Sequence, residues 1–528
     1  MSFLLGRQKF AAAALILGIS AFLSRVMGLV RDKIISWQFG ASGEADMYFA
    51  AFVVPDIINY LLAGGFMSIT LIPPLARGFE ENEADAWRFF SCAALWMLIG
   101  SSLLTIGCEI FAGPLAAVVA PGFSRAQTLR LAFFTRIILP AQIFFLSGAC
   151  FTALLFLRRQ FAVPALTPLI YNGLIIICGL VFPSFSTDPG YGMTGYCLGV
   201  TIGAALGAFL LPLVCARQAP MKLSLTLWHP LMLRFLIIAL PLMLGQTVVM
   251  LDEQFLRVFG SMLDEGAVSL LNYARRIAQT PVALMGGAIA AASYPFLARL
   301  LAENDIKSFN TALNKAIVNG AELIVPLALY MIVASRPILT VIFQGGRFDA
   351  RATLACEPLT QIMLAFAPFW VIYMALARGY YAREDTLTPA LIGTLIALLS
   401  VPVYYLVALP LGAWAIALIS GAGVTIYALW LIWIWISRYG ADAFRNLWSL
   451  SLKSLVISLA AATGTWVYLR FWQNAMFPDL PFFSACADCA ASLTIFSLIY
   501  FSLAGLINPS LNRRIFGFIK RKIKPAPR

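Results

Sequence analysis

Long apolar runs, broken by Gly, Pro and isolated charges, repeat along the chain as far as residue 506. A helix that crosses a bilayer needs about 20 predominantly apolar residues. The breaks divide the chain into helices at about 10–37, 45–77, 88–118, 130–157, 163–183, 191–216, 230–262, 266–300, 312–338, 355–382, 386–409, 412–437, 449–472 and 483–506, numbered spans 1 to 14. The expected fold is all-α and integral to a membrane.

The loops between these spans differ in charge by turns. One set holds Arg7 and Lys9, Arg77 and Arg88, Arg158 and Arg159, Arg217 and Lys222, Arg299, Lys307 and Lys315, Arg383, and Arg438, Arg445 and Lys453, and is joined by the tail from Arg513 to Arg528. The other set, around Gly43–Glu44, Pro183–Gly190, Asp264–Glu265, Pro410–Gly412 and Asn474–Pro481, is poor in cations apart from Arg125, Arg347 and Arg351. Cytoplasmic loops collect Lys and Arg, which places both termini in the cytoplasm, as an even number of spans requires.

Composition agrees. The 528 residues are 61% hydrophobic and 12% charged, with a mean hydropathy of +0.87. A soluble domain is nearer half apolar and a quarter charged, so lipid has to solvate much of this surface. The net charge of +13 follows from loop topology and implies no nucleic-acid partner. The first apolar run, Phe10 to Leu23, continues through Arg25 and Arg31 without a small-residue cleavage site, which reads as a retained span. The nine Cys mostly sit singly in apolar runs, as small hydrophobes do. Cys486 and Cys489 form a CxxC without thioredoxin-like surroundings, and the single histidine, His229, has no Cys pair near it. No cofactor and no structural metal are expected.

Two distant segments match. LAGGFMSITLIPPLARGFEENE runs from Leu62 to Glu83, and LMGGAIAAASYPFLARLLAEND from Leu284 to Asp305. Gly64, Gly65, Pro73, Arg77 and Asn82 meet Gly286, Gly287, Pro295, Arg299 and Asn304. At nearly the same offset, Arg158 and Pro164 meet Arg383 and Pro389. Because six spans separate the copies, the halves share one orientation, as in parallel-repeat transporters. The domains expected are an N-lobe at 1–218, a C-lobe at 219–440, and spans 13 and 14 with a basic tail at 441–528.

Charges inside the spans mark the candidate site, because a charge facing lipid at depth costs several kcal/mol. Span 1 carries Arg25, Arg31 and Asp32, and span 2 carries Asp46, Asp56 and Asn59. Span 7 carries Asp252, Glu253 and Arg257, and span 8 opens with Arg275, Arg276 and Gln279. Glu253 and Arg257 are spaced to pair along one helix. Guanidinium groups bind diphosphate oxygens through planar paired contacts and stay charged when desolvated. Several Arg in one cavity therefore suit a diphosphate head group better than a cationic drug. There is no Walker lysine motif, catalytic triad or metal cluster, so neither direct ATP drive nor an enzyme is expected.

The order of motifs resembles the MurJ/MviN family of lipid II flippases, within the multidrug/oligosaccharidyl-lipid/polysaccharide exporter superfamily. Its opening motif is similar to Ser24-Arg25-Val26-Met27-Gly28-Leu29-Val30-Arg31-Asp32, and its second to the run from Phe39 to Pro55. Further elements match Ala120 to Phe123, Tyr273 to Arg276, Ile342 to Asp349 and Ala377 to Pro389. The resemblance covers spans 1–12, and spans 13–14 more weakly.

The resemblance implies a MATE-like two-lobe fold of parallel six-helix repeats plus two extra C-terminal helices, working by alternating access. It implies cavity cations at Arg25, Arg31 and Arg276 with acidic partners at Asp32 and Asp46. The implied activity is movement of lipid II, the undecaprenyl-diphosphate-linked disaccharide pentapeptide of peptidoglycan synthesis, across the bacterial inner membrane. The expected partners are lipid II and membrane lipids, with cell-wall synthesis enzymes also considered, and a monomer is expected. Competing readings are another lipid-linked oligosaccharide flippase, a drug/cation antiporter, or a membrane enzyme acting on polyprenyl phosphates. The last would need clustered acidic ligands or a nucleophile–base pair.

Two departures from the family pattern matter. Where the family carries Arg after the span 2 proline, this chain has Asn59 and Tyr60, and the Asp of the span 8 motif is Arg275. We read this as a cation moved from one lobe to the other. Some family members hold sodium on spans 7, 11 and 12. Here Ser400 and Tyr404 stand on span 11, opposite Asp252 or Glu253 on span 7, a poor ligand set.

Overall fold

In the computed structural model the described residues are 10–507, apart from 64–65, 183–190, 219–220, 245–246, 446, 474–476 and 478–479. Arg7, Lys9, the Gly64–Gly65 pair, the Pro183–Gly190 loop, Asn474 and the tail from Arg513 lie outside them. The regular elements among the described residues are helices.

Eleven of these helices are long and apolar enough to cross a membrane, and they coincide with expected spans 3–6 and 8–14. The remaining three segments are helical too, but charged or divided. Span 1 is one helix, Phe10–Phe39, with Arg25, Arg31, Asp32 and Lys33 within it. Span 2 is split into Gly43–Ala50, Val53–Ala63 and Phe66–Glu81, and span 7 into Pro230–Leu244 and Thr247–Gly260. Length and apolarity therefore do not fix the number of crossings at fourteen.

Polar side chains start many helices by accepting orphan backbone N–H groups. Asn82 accepts from Asp85 (3.2 Å), Asp305 from Ser308 (3.0 Å) and Asp349 from Ala352 (2.8 Å). Bonds from Ser308 hold the Asp305 carboxyl below its usual pKa range. Large apolar side chains such as Leu103, Ile110 and Val118 stand exposed on the outer helix faces, as lipid contact requires.

The chain forms two compact units, Met1–Asn272 and Tyr273–Arg528. The first is packed around Phe89, Phe90, Phe151, Leu154 and Leu155. In the second, spans 13 and 14 pack on each other and on span 9 through Ile457, Ala461, Phe496, Tyr500 and Tyr330.

The repeat is visible in backbone geometry. After Arg158 the chain turns through Arg159 at φ 60°, and after Arg383 through Glu384 at φ 59°. Each turn closes with the same two bonds. Gln160 N–H donates to Leu155 and Arg159 N–H to Phe156, while Asp385 N–H donates to Tyr380 and Glu384 N–H to Tyr381. This is the Schellman helix stop, built at both places without glycine, as it is also at Asn304 (φ 59°).

The arginine in each copy does the same work. Arg158 lies 5.8 Å from the Trp87 ring centroid and donates to the Ala216 carbonyl (2.7 Å) at the end of span 6. Arg383 lies 5.0 Å from Phe309, 5.3 Å from Trp435 and 4.0 Å from Tyr439 at the end of span 12. In each unit one guanidinium thus joins the helix it ends to the start of one span and the end of another.

Replacing Arg383 with Gln should lower the thermal unfolding midpoint of the purified protein through loss of about 1–2 kcal/mol of cation–π attraction. Lys, which keeps the charge without the flat face, should recover only part of it.

Candidate functional site

The N-terminal unit gathers most of the charged side chains singled out on spans 1, 2 and 7. Arg31 donates through Nε (3.0 Å) and Nη2 (2.9 Å) to Oδ1 of the buried Asp32, and through Nη1 to Asn172 Oδ1 (3.3 Å). Asn172 is fixed in turn by bonds to the Pro168 carbonyl (2.9 Å) and Ser24 Oγ (3.4 Å). A guanidinium has five N–H donors, so Arg31 keeps two for a ligand while its charge is neutralised locally. Arg25, two turns away on the same helix, is exposed.

Asp46 has a different task from the one the motif suggests. Its carboxylate is buried and accepts the backbone N–H groups of Gly266 (2.6 Å) and Ser269 (2.7 Å). It therefore caps the N-terminus of the Ala267–Ala302 helix, where a negative charge is favoured by the helix dipole. Glu265 returns the favour by accepting the Gly43 N–H (2.7 Å) at the start of Gly43–Ala50. The two helix starts cap each other. Glycine is needed at both joints. A Cβ on Gly43 would sit 2.8 Å from Glu265 Oε1, and Gly266, at φ +92°, leaves no room beside the Ala41 carbonyl.

Arg257 is the most enclosed of the cations, with 8% of its side chain exposed. It donates to Asp56 Oδ2 and Glu253 Oε1, both at 2.7 Å, and to Gln254 Oε1 at 3.1 Å. The Glu253–Arg257 spacing along span 7 announced one of these bonds. The bond to Asp56, from 201 residues away, joins span 7 to span 2.

One turn beyond Asp56, Asn59 donates its amide to Gln142 Oε1 (3.2 Å). Asp56, Asn59 and Gln142, together with Phe145 and Tyr171, line a cavity of about 360 Å³. Neither Gln142 nor Asn172 was singled out from the sequence. Each is a lone amide in an otherwise apolar helix, and that is the signal that marks them.

In the C-terminal unit the adjacent Arg275 and Arg276 diverge. Arg275 is half-buried, with its guanidinium 5.9 Å from the Trp370 ring centroid. It shares a niche with Gln279 and Ser420 that holds about 10 Å³, room for roughly one water. Arg276 is exposed. The hydroxyl of Ser400 is turned onto its own helix, donating to the Ala397 carbonyl (2.7 Å), and Tyr404 is buried where span 11 passes into a π-helical turn. Asp252 is half-buried on span 7. Among the described residues no group of three or more His, Cys, Asp or Glu is gathered in metal-binding geometry. His229 sits beside Asp85 (3.3 Å) and accepts the Leu231 N–H, and Cys486 and Cys489 are free thiols.

Comparison with known proteins agrees with this arrangement. The family model described as lipid II flippase MurJ matches residues 35–483, beginning just after the Arg31–Asp32 pair. A probable lipid II flippase MurJ from Rhizobium tropici is 28% identical over 522 residues, covering 96% of this chain and 95% of the relative. The lipid II flippase MurJ of Burkholderia cenocepacia is 26% identical over 505 residues, covering 92% and 96%. A solved structure of lipid II flippase MurJ in an inward closed conformation superposes with a TM-score of 0.77 at 24% identity, covering 94% of this chain and all of that one. An inward-facing MATE family multidrug transporter superposes with a TM-score of 0.67 at 16% identity, covering 83% and 99%. The two-unit, charge-bearing helical fold is therefore the MATE-like one, and the chain belongs to the lipid II flippase MurJ family.

Proposed function

We propose that this chain moves lipid II from the cytoplasmic to the periplasmic leaflet of the bacterial inner membrane by alternating access. The observation that carries the reading is Arg31. In a family of lipid II flippases, this intramembrane guanidinium is oriented by Asp32 and Asn172 and keeps two N–H donors for an anion. Substrate diphosphate is the anion that fits, and Arg25, Arg275, Arg276 and Gln279 are the further groups assigned to it. The lobes are assigned as 1–218 and 219–440, with 441–528 as an appendage and both termini in the cytoplasm. That orientation puts the Asp46–Glu265 cross-cap at the periplasmic ends of its helices. There it holds span 2 to the start of span 8 and has to open for substrate to leave. The test of the whole reading is replacement: the gene should sustain growth and lipid II translocation when a cell's own flippase is depleted.

Arg31→Ala and Arg276→Ala should each lower translocation about tenfold or more at normal expression. Arg31→Lys should also fail, because one ammonium cannot satisfy Asp32, Asn172 and a phosphate in fixed planar geometry. Normal translocation by Arg276→Ala would remove that residue from the site.

Arg257 is read as a permanent tie between spans 2 and 7. Removing it leaves two half-buried acids without their cation, at a cost of about 1–3 kcal/mol, below that of a fully buried pair. Thermal unfolding should rank Arg257→Gln as the most destabilised variant and Asp56→Asn as milder. The double variant should regain part of the loss, since the two changes share one interaction.

The drive proposed is the membrane potential. Each substrate charge crossing the full field is worth about 2.3 kcal/mol per 100 mV, and an inside-negative potential pushes an anion outward. Translocation in proteoliposomes should stop when the potential is collapsed, and persist when potassium or choline replaces sodium at fixed potential and pH gradient. Arrest on sodium removal alone would overturn this and return attention to Asp252, Glu253 and Ser400.

A further inference from the structure

The 360 Å³ cavity of the N-terminal unit has the wrong lining for a phosphate. Among the described residues its walls include the carboxylate of Asp56 and no Lys or Arg. The nearby guanidinium of Arg257 is taken up by Asp56, Glu253 and Gln254. What the cavity offers is a pair of amides, one carboxylate and four aromatic side chains, Phe52, Tyr60, Phe145 and Tyr171.

The amides are set for one particular partner. Asn59 Nδ2 donates to Gln142 Oε1. That bond orients both groups and leaves the Asn59 carbonyl oxygen as an acceptor and the Gln142 Nε2 as a donor. A secondary amide, with one N–H and one C=O, complements that pair. Asp56 is bonded to Arg257 through Oδ2, and its carboxylate forms part of the wall, where it can accept from a hydroxyl. Phe145 and Tyr171 meet edge to face, with centroids 5.3 Å apart, and form a braced apolar wall of the kind that C–H faces pack against. The volume equals roughly a dozen waters, at the small end of ligand cavities. It accommodates one sugar ring. Asn59 also stands where the family pattern places a guanidinium, so a neutral hydrogen-bonding group replaces an anion-binding one.

We propose that this cavity is a subsite for one 2-acetamido sugar of the substrate head group. Asn59 and Gln142 read the acetamido group, and Asp56 reads a ring hydroxyl. The inference rests on the lipid II reading, and it separates head-group recognition into a saccharide part within the N-terminal unit and a diphosphate part on the arginines.

The test uses the full chain in nanodiscs and two probes, lipid II and undecaprenyl diphosphate, which share the diphosphate and polyprenyl chain and differ in the sugars and peptide. Wild type should bind lipid II more tightly. Gln142→Leu, and independently the small-residue pair Asn59→Ala/Gln142→Ala, should weaken lipid II binding about tenfold while leaving undecaprenyl diphosphate within about twofold. Free N-acetylglucosamine at high concentration should compete with lipid II in wild type and not in these variants, and glucose should not compete in either. Equal weakening of both probes, or unchanged lipid II binding by a folded variant, would overturn the subsite and leave a water-filled gap. Equal binding of the two probes by wild type would overturn the subsite alone. Binding of neither probe, together with failure to replace a depleted flippase, would overturn the flippase reading and the subsite with it.

Discussion

The structure turns on what it takes to keep guanidinium groups inside an apolar bilayer. A cation moved from water to hydrocarbon loses hydration worth many kcal/mol, and only close partners can return it. The partners differ with surroundings. Arg257, the most enclosed, has two carboxylates and an amide. Arg31 has one carboxylate and one amide. Arg275 has the face of Trp370, and Arg158 and Arg383, at helix ends, have aromatic rings.

The same constraint explains why span 7 packs with spans 1–6. The repeat assigns span 7 to the second half, but the Arg257–Asp56 bond ties it to span 2. The linkage is costly to break on the Arg257 side, because that guanidinium is almost wholly enclosed. Span 7 therefore follows span 2, and the compact N-terminal unit extends to Asn272.

The sequence made the spans legible because apolar length is a one-dimensional property, and the repeat because Gly, Pro and Arg fall at fixed offsets. The Arg31–Asp32 neighbours could be seen as adjacent charges, and Glu253–Arg257 as a helical pair. Partner choice across helices was not legible. Nothing local says that Arg257 pairs with Asp56, or that Asp46 caps the Ala267–Ala302 helix instead of facing a ligand. Adjacent Arg275 and Arg276 look alike on paper, yet successive residues project about 100° apart on a helix, so one meets Trp370 and the other stands exposed. Asn59 reads as a lost cation until Gln142, on another span, shows what its amide engages.

Alternating access requires some contacts to break in each cycle and others to hold, and the chemistry sorts them. The cross-cap between Asp46, Gly266, Ser269, Glu265 and Gly43 consists of three carboxylate-to-backbone bonds at helix ends. When those ends open to water, the carboxylates rehydrate and the N–H groups find new partners. The net loss is then near 1 kcal/mol per bond, about 3 kcal/mol in all. A ligand that moves a two-state equilibrium from 1:99 to 99:1 must supply about 5.5 kcal/mol of differential affinity, so binding can open a latch of this size. The Arg257 cluster cannot be opened so cheaply, because its acids would be left in a wall with no cation nearby. Under the proposed function, the backbone cap at the helix ends is the contact expected to open, and the ion cluster between spans 2 and 7 the one expected to hold.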